Sequence, residues 1–328
     1  MGRYLRRWGL LPLVFVCLGW LVGLFPTSEF AASALADETA DTGEATPAAA
    51  AEPQRMDSYL RVTRDDAGRP LALQTAVVRF ALREAAEEGP FVDLISVVHV
   101  GEADYFQALN EEFTRYDAVL YELVAPEEAQ VPAAGAAAGG HPVSSLQLGM
   151  TRMLELTYQL HGIDYTAENL VHADMTPEQF AASMRDRGES FLAMFARMVG
   201  YAMAQQSQGG SDDIRLLRAL FSRDRAIHLR QVLAEQFEST QGMLDAMEGP
   251  GGSTLIAGRN QVAIDVLRRQ LDEGHTRLAI FYGAGHMPDF ETRLREQFAM
   301  VPVSTRWMTA WRLTRRSAES NGDAGTEQ

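Results

Sequence analysis

Three short, almost unbroken apolar runs constrain this chain more than any other feature: FVDLISVVHV at 91–100, DAVLYELV at 117–124 and RLAIFY at 277–282. A strand with one wet face alternates apolar and polar residues. A continuous run of this length instead reads as a strand covered on both faces, the usual state of a parallel sheet between helices. Between the first two runs, Tyr105/Phe106, Leu109 and Phe113 recur at helical spacing within Glu102 to Arg115. Strand, helix and strand in about 34 residues make a βαβ unit and predict a parallel pair.

A second half repeats the pattern. A helix is predicted over Thr254 to Glu273, ending at Gly274, then the strand Arg277 to Tyr282 and a helix over Asp289 to Phe298. Antiparallel edges are predicted at Ser58 to Thr63 and Leu71 to Leu82, joined by the turn Asp65-Asp66-Ala67-Gly68, and at Val301 to Leu313. Between the halves lie a Gly/Ala-rich loop and helices expected over Ser144 to Leu160, Thr176 to Arg185, Glu189 to Gln206 and Asp212 to Met247. The expected fold is therefore α/β. Its mainly parallel central sheet is built from two βα-type halves, with a large helical insertion (142–250) between them and added antiparallel edge strands.

The ends read differently. Arg3, Arg6 and Arg7 precede an apolar run from Trp8 to Phe25, and small residues around Ala34 and Ala36 fit a signal-peptidase site. Residues 1–36 are expected to be a signal peptide; the run, at about 18 residues, is also long enough to stay as an uncleaved anchor. Either way the remainder is exported, to the periplasm or beyond, and meets the membrane only through this segment. Residues 37–56 read as an acidic Ala/Pro linker and 315–328 as a disordered tail, leaving 57–314 as the folded domain.

Composition excludes several classes. With 46% apolar residues in 328, the chain has enough to bury a large core. Forty-four acidic residues against 29 basic ones leave a charge of −15, which argues against a nucleic-acid partner. The single cysteine, Cys17, lies in the leader, so neither an internal disulfide nor a cysteine-based zinc motif is available. No Walker A loop, G-x-G-x-x-G or G-x-S-x-G stretch is present.

Two places share one design. One strand runs into Ser96-Val97-Val98-His99, and another into Gly283-Ala284-Gly285-His286, each followed by a helix. Both histidines thus fall just past strand carboxyl ends, where parallel sheets place ligand crevices. Glu122 ends the intervening strand, and a carboxylate there is costly to bury unless paired or metal-bound. His172-Ala173-Asp174 could add ligands as a His-x-Asp pair, but it and Asp164-Tyr165 better suit turn or capping roles before the Thr176-Pro177 helix start. His141, His161, His228 and His275 carry no assigned role, the Phe191–Tyr201 Met-rich stripe reads as core, and Arg223-Asp224-Arg225 reads as a solvated cluster.

The stretches VDLISVVHVGEADYFQALNEEFTRYDAVLYELV, AGRNQVAIDVLRRQL and LAIFYGAGHMPDF resemble the TraB/GumN (PrgY) family and its Tiki and erythromycin-esterase-like relatives. That resemblance implies a site made of two Gly-x-x-His motifs and a Glu, carried here by His99, His286 and Glu122, with Arg259 beside Asn260. The first motif has Ser96 where the family has Gly, and Gly258 stands where the family often has Glu. The resemblance implies hydrolysis of a peptide or ester bond. In the Tiki branch this is metal-assisted, with Zn, Mn or Co held by His99, Glu122 and His286; in the erythromycin-esterase-like branch a His–Glu pair activates water without one. Arg259 would bind a carboxylate or stabilise an oxyanion. The other expectation is a non-catalytic protein that binds a peptide pheromone or haem on the same fold.

Overall fold

The first two apolar runs do not pair with each other; the third lies between them. The computed structural model describes residues 58–83, 89–126, 151–190, 215, 218–238 and 252–315. The expected signal peptide, the linker, His141, the Met-rich stripe and nearly all of the tail lie outside the described residues. The described strands are β1 (Leu60–Arg64), β2 (Pro70–Leu82), β3 (Phe91–Val97), β4 (Val100–Gly101), β5 (Ala118–Tyr121), β6 (Thr157–Tyr158), β7 (Leu170–His172), β8 (Arg277–Gly283) and β9 (Met300–Arg312). The helices are α1 (Ala103–Phe113), α2 (Gln159–Gly162), α3 (Pro177–Asp186), α4 (Arg225–Glu238), α5 (Arg259–Asp272) and α6 (Met287–Phe298).

Seven strands form one sheet in the order β1-β2-β3-β8-β5-β7, with β9 on the other side of β2. β3, β8, β5 and β7 are parallel; β1, β2 and β9 are antiparallel additions. The α/β architecture is thus a mostly parallel central sheet with antiparallel edge strands and helices.

Alternation along each buried strand explains why the runs are unbroken. Ile95, Val97, Val119, Ala279 and Phe281 turn to one face, where Phe106, Leu109 and Phe113 of α1 and Leu229, Leu233 and Phe237 of α4 cover them. Val92, Leu94, Leu120, Ile280 and Tyr282 turn to the other, under Ile264 and Leu267 of α5 and Phe290 and Leu294 of α6. Both faces are dry, so neither admits the polar half of an alternating pattern.

Three local departures from the sequence reading matter for the site. The helix expected over 144–160 is interrupted: Glu155 takes a positive φ of 53°, and β6 follows, pairing with β4 next to His99. β7 extends the main sheet from within the segment read as helical, and three residues are too few for any periodicity to announce it. The helix expected from Thr254 begins as a π-wound turn over Thr254–Gly258 before α5 proper. Among the described residues no helix is long and apolar enough to cross a membrane.

α2 packs tightly on α1. A Cβ placed on Gly162 would lie 2.6 Å from Phe106 Cβ and Cγ, closer than real contacts allow. Gly162→Val should therefore cost about 1–3 kcal/mol by overpacking, read as a lower urea midpoint. An unchanged midpoint would mean that α2 moves freely off α1.

Candidate active site

Register brings the chemistry to one edge. Val97 pairs with Gly283, and Tyr121 pairs with both Phe281 and His172, so four parallel strands end together. Glu122, Asp174, His99 and His286 all follow within three residues of those ends, and Arg259 enters from the start of α5.

Arg259 is the hub. Its Nε and Nη2 donate to Asp174 Oδ1 (2.9 Å) and Oδ2 (2.5 Å). Nη2 also lies 2.8 Å from Glu122 Oε1. Asp174 Oδ1 further accepts the Met175 N–H at 2.7 Å, and Glu122 Oε2 accepts the Gly283 N–H at 2.7 Å. All three side chains are buried. Burial pushes the Glu122 carboxyl up, but Arg259, with smaller help from the histidines and Gly283, holds it down at about 2. The carboxylate is ionised at any physiological pH. Burial favours neutral Arg259, yet Asp174 first and Glu122 second keep it firmly charged.

The two histidines are held by side-chain amides. Asn260 Nδ2 donates to the His286 carbonyl (3.0 Å) and to Asp289 Oδ2 (2.8 Å), which turns its oxygen toward the ring. His286 therefore donates its Nδ1–H to Asn260 Oδ1 at 2.6 Å. His286 is 1% exposed, and burial lowers its pKa to about 4 despite the upward pull of Glu122. A neutral ring with its proton on Nδ1 points an Nε2 lone pair into the interior, 3.6 Å from Glu122 Oε1. Acceptor faces acceptor, and the distance is too long for a hydrogen bond. His99, half-buried, has Nδ1 2.6 Å from Gln159 Oε1, and Gln159 Nε2 donates to Tyr165 Oη at 2.9 Å.

Two buried side-chain atoms among the described residues have no partner, Arg259 Nη1 and His286 Nε2. One is an obligatory donor and the other an acceptor, and such atoms are rare without a ligand or water to meet them.

All four anticipated residues, His99, Glu122, His286 and Arg259, are thus at one sheet edge. As a three-ligand divalent site they do not fit in this arrangement. A guanidinium sits 2.8 Å from Glu122 Oε1, where a cation would bind, and Gly283 takes Oε2. Among the described residues no three His, Cys, Asp or Glu side chains lie at metal-holding spacing.

Asp174 and Gln159 were not singled out for this site. Sequence context favours a turn or cap role for Asp174, but the cap of α3 is Thr176 with Gln179 in a capping box, which leaves Asp174 for Arg259. Its signal is the His-x-Asp pattern of His172 and Asp174 just before a separate Thr-Pro helix start. Gln159 carried no signal, since it fell inside an expected helix. The remaining described histidines have ordinary partners: His172 Nε2 meets the Leu123 carbonyl (2.7 Å), His228 meets Ser222 (2.6 Å), His275 meets Gln270 (2.9 Å) and His161 lies edge-on to Tyr158. Asp224 pairs with Arg315.

No family model, curated protein or solved structure matches this chain.

Two outcomes follow from this charge arrangement. Arg259→Leu strands two buried carboxylates and should lower stability by about 3–5 kcal/mol, measured by urea unfolding. A loss below 1 kcal/mol would show the hub to be dispensable. Both His286 and Glu122 bind protons more weakly folded than unfolded, so unfolding takes up protons and stability is lost as pH falls. The His286 share is lost between 6.5 and about 4, and the Glu122 share between 4.5 and about 2. The first step is worth about 3 kcal/mol. It should vanish from the pH dependence of the urea midpoint in His286→Gln, and an identical slope in that variant would refute the assignment.

Proposed function

We propose that this chain is an exported hydrolase of the TraB/GumN type that cleaves a peptide or ester bond by water activation at the His99–Glu122–His286 edge. The observation that carries this reading is the pair of unmet buried atoms beside an ionised carboxylate. Hydrolysis needs an acceptor for a water proton and a donor for a carbonyl oxygen. Arg259 Nη1 offers the donor, and His286 Nε2 an acceptor that holds the water while His99 takes its proton.

His99, nearer solvent, is the base that takes the proton from water. Glu122 stabilises the imidazolium as it forms, because a fixed negative charge in a dry site acts strongly on a nearby positive one. Arg259 keeps Glu122 from taking that proton itself. Its free Nη1 polarises the scissile carbonyl and stabilises the oxyanion that follows. The order and spacing of the three family-like stretches support the same class of reaction.

The test is digestion of a peptide and ester library by the purified protein. Glu122→Gln should cut the rate by about 10²-fold or more. Equal rates would remove Glu122 from the mechanism. Absence of cleavage by the unaltered protein, with saturable binding of a peptide or haem lost in Arg259→Leu, would favour the non-catalytic reading, for which the same unmet donor and acceptor supply the contacts. Elemental analysis decides the divalent ion: stoichiometric Zn, Mn or Co, lost in both His99→Ala and His286→Ala, would require a ligand arrangement different from the one described.

A further inference from the structure

Each site histidine is met by one side-chain amide from the first turn of a helix. Asn260, the second residue of α5, holds His286 from 26 residues away, and Gln159, the first residue of α2, holds His99 from 60 residues away. We propose that Gln159 and Asn260 are positioning residues that lock both imidazoles with the proton on Nδ1, keeping both Nε2 atoms as acceptors. The proposal rests on the hydrolytic reading for its purpose, since an Nε2 lone pair is what takes a proton from water. The hydrogen-bond geometry stands apart from that reading.

Asn260 has no freedom in this role. Both partners of its Nδ2, the His286 carbonyl and the Asp289 carboxylate, are acceptors, so its Oδ1 must face the ring. Gln159 is placed along a longer path, and its amide orientation is the part the experiment below decides, because a tyrosine hydroxyl can donate as well as accept. Its backbone N–H donates to the His99 carbonyl at 2.7 Å, immediately after β6 has paired with β4. Its Nε2 donates to Tyr165 Oη, and the Tyr165 ring is buried edge-on against Tyr121 at 5.1 Å. The same loop that carries Gln159 is thus laced to the strand end it serves, through both backbone and side chain. An amide turned the other way would donate to His99 Nδ1, move the ring proton to Nε2 and leave His99 unable to act as a base. The two orientations differ in an observable tautomer.

Long-range ¹H–¹⁵N NMR of the histidine-labelled protein at pH above 7 reads the tautomers directly, with His99→Gln and His286→Gln assigning the signals. Both rings are expected with the proton on Nδ1. Gln159→Met removes the acceptor and should shift the His99 proton to Nε2. Gln159→Glu, which still accepts from Nδ1–H and can accept from Tyr165 O–H, should restore it. Asn260→Leu should shift His286 in the same way. A wild-type ring carrying its proton on Nε2, or a His99 tautomer indifferent to Gln159→Met, would overturn the proposal. Where a variant does not fold, the unaltered protein still decides the point. The spectra need no turnover: Nδ1–H tautomers without hydrolysis would defeat the hydrolase and leave the positioning role standing.

Discussion

The ion triad of Arg259 with Asp174 and Glu122 is the interaction on which the rest of this site depends. It joins three elements that are remote in sequence: the ends of β5 and β7 and the start of α5. A buried charge without a partner costs several kcal/mol, so none of the three is tolerable alone. Together they carry two negative charges against one positive. The remaining negative charge lies next to a neutral imidazole and an unmet guanidinium donor, a setting that suits a protic group. A site built this way stores its chemistry in a fixed field, so little has to reorganise when charge develops.

Around that triad the imidazoles are ordered by amides. Asn260 belongs to the same helix start as Arg259, so one turn of α5 supplies both the cation and the tautomer lock for His286. The π-wound turn before Arg259 places this start deep in the fold, and extra residues per turn of this kind are common where a helix serves a site. Gln159 does the corresponding work for His99, on a short helix whose Gly162 packs closely against Phe106.

Much of the fold was legible because burial on both faces leaves a plain mark. β3, β5 and β8 sit where the apolar runs predicted, α1 and α5 lie within the segments of helical spacing, and α3 and α6 overrun theirs by one and two residues. The histidines and Glu122 were legible for a related reason: polar residues at the ends of such runs stand out against their surroundings. Asp174 was misread as a local turn residue because short acids before a helix usually serve that helix. Here Thr176 already does so, and only the folded chain shows the acid to be spare. Gln159 was invisible because neutral amides are common, and nothing local distinguishes one that will meet a histidine. β7, with three residues, is too short to show a period.

The amino-acid sequence by itself determined that this chain forms buried parallel strands with helices on both faces, and that two histidines and a glutamate stand at strand ends. Those are consequences of local pattern, since hydrophobic periodicity is written along each element. Tertiary structure alone decided that β8 separates β3 from β5, that Arg259 spends itself on an aspartate 85 residues away as well as on Glu122, and that an amide 60 residues from His99 sets its ring. Such pairings come from which strand ends become neighbours, and no stretch of sequence carries that adjacency before the chain has folded.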